Sequence, residues 1–142
     1  MKNEIELQIR VPNQTRYLSL IGRIGENLAQ ELDRFAGDRN ALAQHLNVVL
    51  TEAMANAIKH ANAADPDKDV LIRIFVSDTE LLIDVYDSGQ GFDLNSLPSP
   101  AFDTDSLIEK GRGIFIIKSL MDTVVYRKCK EGNVLEMKKI LR

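Results

Sequence analysis

The chain has 142 residues, 44% of them apolar and 27% charged, with a formal net charge of −3. This is the composition of a globular domain long enough to close a core, and the acidic balance argues against a general nucleic-acid or membrane-surface binder. The single cysteine, Cys129, has no partner for an internal disulfide, no stretch approaches transmembrane length, and the opening M-K-N-E-I-E-L has acids where a signal peptide has an apolar run, so a cytoplasmic location is expected.

Residues 4–11 alternate, with Ile5, Leu7, Ile9 and Val11 on one side and Glu4, Glu6, Gln8 and Arg10 on the other. That pattern predicts a strand with one wet face, ended by Pro12. Asn13 or Thr15 opens a helix carrying Leu18, Ile21, Leu28, Leu32 and Phe35 near the helical period, with Gly37 closing it. A second helix is predicted from about Asn40 to Ala61, burying Leu42, Leu46, Val49, Leu50, Ala53, Ala57 and Ile58. After the loop A-D-P-D-K-D come two strands, V-L-I-R-I-F-V-S and L-L-I-D-V-Y-D, joined by a tight turn near Asp78–Thr79. Residues 88–110 carry Gly89, Gly91, Pro98 and Pro100 without apolar periodicity and read as a long loop, either a functional lid or a disordered one. A short helix is predicted to start near Gly113, followed by a hairpin of T-V-V-Y-R-K-C-K and N-V-L-E-M-K-K-I-L. Strands and helices are grouped rather than alternating, which predicts one α+β domain over residues 1–142, a sandwich with helices on one face of a mixed sheet.

Glu52 and Asn56 are four apart and share a helix face that His60 continues. Alone this is better read as a solvated face. Yet Asn has no propensity reason to sit mid-helix, and Ala53, Ala55, Ala57 and Ala61 keep the helix slim enough for a ligand to approach. Asp87 shares a strand face with the core residues Ile83 and Val85. A buried carboxylate needs a hydrogen-bond donor, from a ligand or from a neighbouring backbone N–H. Gly89 and Gly91 follow it and bring the backbone close to whatever binds there. Gly111 and Gly113 precede the predicted helix start, so with the N–H groups of Ile114 and Phe115 they are candidates for holding phosphate. Lys110 and Arg112 either add charge at a terminal phosphate or are solvated loop charges. His45, His60 and Cys129 are too few for a zinc site.

In chain order, E-A-M-A-N-A-I-K-H-A at 52–61, D-S-G-Q-G-F at 87–92 and G-R-G-I-F at 111–115 resemble the N, G1 and G2 boxes of the GHKL ATPase superfamily, the group of gyrase, Hsp90, histidine kinases and MutL. Within it, G-R-G-I-F-I-I-K-S-L-M-D at 111–122 is most similar to the small serine kinases that act as anti-sigma factors, the RsbW and SpoIIAB type. The resemblance covers most of the chain and implies a two-layer sandwich of the Bergerat type, with ATP and Mg²⁺ as cofactors. It implies that Asn56 ligates Mg²⁺ through its amide oxygen, that Glu52 is the general base and that Asp87 accepts a hydrogen bond from the adenine amino group. His60 matches a histidine common in the kinase branch, with a supporting or core role favoured over catalysis. The sporulation branch places an arginine a few residues before the glycines where this chain has Glu109, which leaves the γ-phosphate sensor unassigned.

The function that the resemblance implies is a kinase that phosphorylates a serine on a small STAS-fold antagonist and otherwise holds a sigma factor inactive. No direct nucleic-acid or membrane partner is expected. Homodimers are common in the family, and the first strand offers an edge. Gyrase, Hsp90 and MutL types need a following transducer domain, and a sensor histidine kinase needs a preceding helical pair; 142 residues are expected to leave room for neither. Two alternatives stand beside the kinase: an ATP-binding module that sequesters a partner without turnover, and an ATPase component of another regulatory complex. Binding alone requires no base, so Glu52 counts against the first.

Overall fold

The alternating segment that opens the chain forms strand β1 (Ile5–Pro12). In the computed structural model, which describes residues 4–61, 65–88, 106–130 and 132–142 (backbone only for 60, 61 and 106–111), a 3₁₀ turn at Thr15–Tyr17 then leads into helix α1 (Leu18–Glu31). Helix α2 (Arg39–Asn56) follows, opened by Asp38, whose carboxylate accepts from the N–H groups of Asn40 and Ala41. Strands β2 (Asp69–Val76) and β3 (Glu80–Asp87), helix α3 (Ser106–Leu120) and the hairpin β4 (Thr123–Cys129) and β5 (Gly132–Ile140) complete the order.

The strands form one sheet in the order β1-β2-β3-β5-β4. The α+β class expected from the sequence is found, but the sheet is antiparallel at every pairing rather than mixed. The reason lies in the last hairpin. It inserts β5 next to β3 and leaves β4 outside, so the strands before and after α3, which run the same way, are never neighbours.

One face of the sheet carries the core. Val70, Ile72, Ile74 and Val76 of β2 and Leu81, Ile83 and Val85 of β3 are buried in one cluster with Ile21, Leu28, Leu42, Leu46, Leu50 and Met54 of the helices. Every predicted core residue of α2 is buried there. Helix α1 ends at Glu31, six residues before Gly37. The guanidinium of Arg39 reaches back to donate to the carbonyl of Ala29 at 3.0 Å and to that of Leu32, taking over acceptors that a further helical turn would have used. Leu32 and Phe35 still pack on the core, from the connecting segment. No helix among the described residues is long and apolar enough to cross a membrane.

The opposite face of the sheet carries a charged row in which Arg73 of β2, Asp84 of β3 and Glu136 of β5 are successive cross-strand neighbours. Partial burial, reinforced by Glu136, raises the pKa of Asp84 above the usual carboxylate value against the opposing pull of Arg127 and Arg73. A carboxyl whose pKa is raised on folding binds its proton more tightly in the folded chain, so its ionisation weakens the fold as pH rises through that pKa. Asp84→Asn is therefore expected to raise the melting temperature at neutral pH, with the gain fading as pH falls below the folded pKa of the aspartate. Thermal melts across pH 4–7.5 check this, and a gain that grows toward acid would contradict it.

Candidate functional site

Glu52 and Asn56 occupy successive turns at the end of α2, Glu52 half-buried and Asn56 9% exposed. Directly after Asn56 the helix widens into five residues of π-helix, Ala57–Ala61, a turn type that is rare and concentrated at functional sites. The sequence places helix throughout this stretch but contains no sign of the wider turn. This turn packs on β3, bringing the end of α2 to the strand that carries Asp87. The side-chain amide of Asn56 makes no hydrogen bond to any described residue. An enclosed amide without a partner costs about 1–3 kcal/mol, and its oxygen is a hard donor of the kind that Mg²⁺ selects. Asn56 therefore fits a magnesium ligand. The alanines fit the expectation less well: Ala53 and Ala57 are buried in the core and leave only Ala55 half-buried between them, so their small size serves helix packing against the sheet. The His60 side chain lies outside the described residues.

Asp87 ends β3 on the inward face, as the alternation predicts, and is 6% exposed. Two side chains donate to its carboxylate: the hydroxyl of Tyr126 to Oδ2 at 2.8 Å and the amide of Asn133 to Oδ1 at 2.9 Å. The protein itself thus supplies donors to this buried acid, through side chains rather than the backbone N–H considered from sequence. A carboxylate accepts about four hydrogen bonds, so these side-chain donors are compatible with an adenine amino donor at the same group.

Tyr126 and Asn133 are the site residues that sequence reasoning missed. The signal was present in strand parity, since Asn133 shares the inward face of β5 with Leu135 and Met137, and Tyr126 that of β4 with Val124. Gly132 makes the arrangement possible. A Cβ there would lie 2.1 Å from the carbonyl oxygen of Asp87 and 2.8 Å from Cα of Ser88, so only glycine lets β5 begin flush against the end of β3. Asn133→Ala removes a buried donor from a charge and is expected to destabilise the fold by about 1.5–3 kcal/mol. Denaturant melts measure this, and a change within experimental scatter would exclude Asn133 as a support of Asp87.

The third segment differs most from expectation. Helix α3 begins at Ser106, so Gly111 and Gly113 lie inside the helix instead of before it. Nothing in S-L-I-E-K opposes helix, each glycine weakens it by only about 1 kcal/mol, and the buried Ile114 and Ile117 anchor the helix to the core. Helical N–H groups donate to carbonyls four residues earlier. Those of Gly113, Ile114 and Phe115 can serve a phosphate only if the first turns of α3 open, which the two glycines make easier. Arg112 is exposed, Ile114 buried and Phe115 50% exposed. The side chain of Lys110, Gly89, Gly91 and most of the expected lid (89–105) lie outside the described residues.

The α2 and α3 segments meet at one point. Glu52 Oε2 lies 2.7 Å from where a Cβ of Gly113 would stand. The structure thus joins the first sequence segment to the third through this pair, and packs β3, the strand that ends in Asp87, against the π turn.

The described residues thus form an antiparallel five-stranded sheet with a helical layer, an inward aspartate at the end of its central strand, and an Asn–Glu pair on the helix that packs on it. The chain matches the Histidine kinase-like ATPase domain family over residues 11–139 and belongs to it. Among curated proteins it is similar to the Serine-protein kinase RsbW of Bacillus subtilis (strain 168), 29% identical over 131 residues that cover 87% of this chain and 79% of the relative. It is likewise similar to the Serine-protein kinase RsbW of Bacillus licheniformis, 28% identical over 124 residues (83% and 75%), and to that of Listeria monocytogenes serotype 4a (strain HCC23), 29% identical over 130 residues (87% and 79%). The resemblance stated from the motifs is thus found again over most of the chain.

Proposed function

We propose that the chain is a single-domain protein serine/threonine kinase that uses Mg-ATP to phosphorylate a serine on a STAS-type antagonist and regulates a sigma factor by partner switching, in the cytoplasm. The observation that carries this reading is the pair at the end of α2: Glu52, one turn from Asn56, whose enclosed amide has no hydrogen-bond partner among the described residues. Similarity to serine-protein kinases over most of the chain supports it.

In this reading Asn56 holds the metal through its amide oxygen, and Asp87, fixed by Tyr126 and Asn133, accepts from the adenine amino group. When bound, Mg-ATP supplies the phosphoryl group and the cation that offsets its charge. Glu52 accepts the proton of the attacking serine hydroxyl. Arg112, exposed on α3, and Lys110 are the cations proposed for the terminal phosphate. Gly89, Gly91, Gly111, Gly113, Ile114 and Phe115 are proposed to line the nucleotide, the α3 members after the first turns of that helix open. The edge strand β1 is the proposed site of any homodimer contact.

Phosphoserine adds about −1.5 to −2 charges, and this acidic chain repels it, so the modified antagonist is expected to dissociate and free the kinase for its other partner. Incubation with γ-labelled ATP and the STAS proteins of the source organism tests this. Label on a serine of one of them, together with weaker binding of the labelled form, is the expected result; equal binding of both forms would contradict the switch.

A further inference from the structure

Tyr126 donates to Asp87 from a strand that is not a neighbour of β3. It sits opposite Leu135 of β5, and β5 lies between β4 and β3. The phenol therefore reaches diagonally over one whole strand to place its hydroxyl 2.8 Å from Asp87 Oδ2, its ring packing on the core. Asn133, directly opposite Asp87 on β5, holds the other oxygen, Oδ1, at 2.9 Å. A carboxylate held at one oxygen can turn about that bond. Held at both, from two different strands, it keeps one plane.

We infer that Tyr126 is a positioning residue that makes Asp87 selective for a 6-amino purine. The inference rests on the reading of Asp87 as the adenine acceptor and goes beyond it, because an aspartate alone is a tolerant reader. Adenine carries a donor at its C6 amino group and an acceptor at N1. Hypoxanthine, with an oxo group at C6, carries the acceptor there and the donor at N1. A carboxylate only accepts, so one that is free to turn meets either the amino group of adenine or the N1–H of hypoxanthine. One with a fixed plane meets the donor in front of it and turns its charge on the oxo group of the wrong base. A ligand that leaves a buried polar group of the site unpaired is strongly rejected. The Tyr126 bond is what keeps Asp87 from pairing again.

The test compares Mg-ADP with Mg-IDP, its 6-oxo counterpart, by calorimetry on the full chain. Tyr126→Phe keeps the ring in the core and removes one of the two side-chain bonds that hold the carboxylate. It is expected to lower the ADP-to-IDP affinity ratio at least about fivefold, and by less than about twofold on an Asp87→Asn background, since the tyrosine acts through the carboxylate. A second readout needs no change at position 126. The chain has three tyrosines, Tyr17, Tyr86 and Tyr126, so carbon-13 at tyrosine Cζ gives three resonances, assigned with Tyr17→Phe and Tyr86→Phe. Saturation with ADP is expected to shift the Tyr126 resonance, because the phenol and the adenine amino group share one acceptor.

An equal loss of affinity for both nucleotides, or an unchanged ratio in a folded Tyr126→Phe chain, would leave the phenol a purely structural role and overturn the proposal. So would an equal fall in the ratio on Asp87→Asn, or a Tyr126 resonance that ADP does not move; the resonance decides if Tyr126→Phe does not fold. The two readings fail separately. Unchanged ADP affinity in Asp87→Asn removes the adenine reading and this proposal with it, whereas weakened binding in Asp87→Asn beside an intact ratio in Tyr126→Phe removes this proposal alone.

Discussion

Glu52→Gln is expected to lower phosphoryl transfer by about 10²–10⁴, the usual contribution of a general base, while leaving nucleotide affinity near that of the wild type. Glutamine keeps the length and shape of the side chain, so it retains the seat against Gly113 and removes only the proton acceptor. Asn56 is a turn away and unaltered, so metal-dependent binding has no reason to change. The pairing of intact affinity with lost transfer is what distinguishes a base from a residue that merely orders the helix end. Single-turnover transfer from γ-labelled ATP and calorimetric titration with Mg-ADP measure the two quantities. Transfer at the wild-type rate would remove Glu52 as the base and favour a partner-sequestering ATP module.

The second large effect belongs to Asp87. Asp87→Asn is expected to weaken ADP and ATP binding by about ten- to a hundredfold, from the loss of one charge-assisted hydrogen bond of about 1.5–3 kcal/mol. The surrounding donors permit the substitution. An asparagine oxygen still accepts from the amide of Asn133, and its NH₂ group meets Tyr126, whose hydroxyl accepts as readily as it donates. The fold is thus expected to survive while the acceptor offered to the adenine amino group is lost. Equal ATP affinity for the wild type and a folded Asp87→Asn chain would separate this residue from adenine recognition.

What the sequence revealed and concealed follows from how far each signal extends. The inward turn of Asp87 was readable because alternation along β3 is local and strict, and the core face of α2 was readable because its period runs over many turns. Tyr126 and Asn133 stayed hidden because contact with Asp87 depends on β5 entering between β3 and β4, a non-local choice that no window around either residue records. The same insertion made the sheet antiparallel where grouped elements suggested a mixed one. The start of α3 was misplaced because G-R-G reads as a helix boundary in isolation; the buried Ile114 and Ile117 carry the helix through both glycines. Gly37 misled in the same way for α1, whose end is set by the guanidinium of Arg39 from the next helix. The Glu52–Gly113 contact joins residues on two helices, and spacing alone could not foretell it.

The proposal that this chain is a switch kinase rests on where the γ-phosphate goes. The most direct measurement follows free phosphate and protein-bound label side by side, with γ-labelled ATP, Mg²⁺ and each candidate STAS protein in turn. Slow hydrolysis by the chain alone, and stoichiometric label on one serine of the correct antagonist, is the predicted result. Rapid turnover to free phosphate, with no labelled serine on any candidate, would contradict it and make the protein an ATPase.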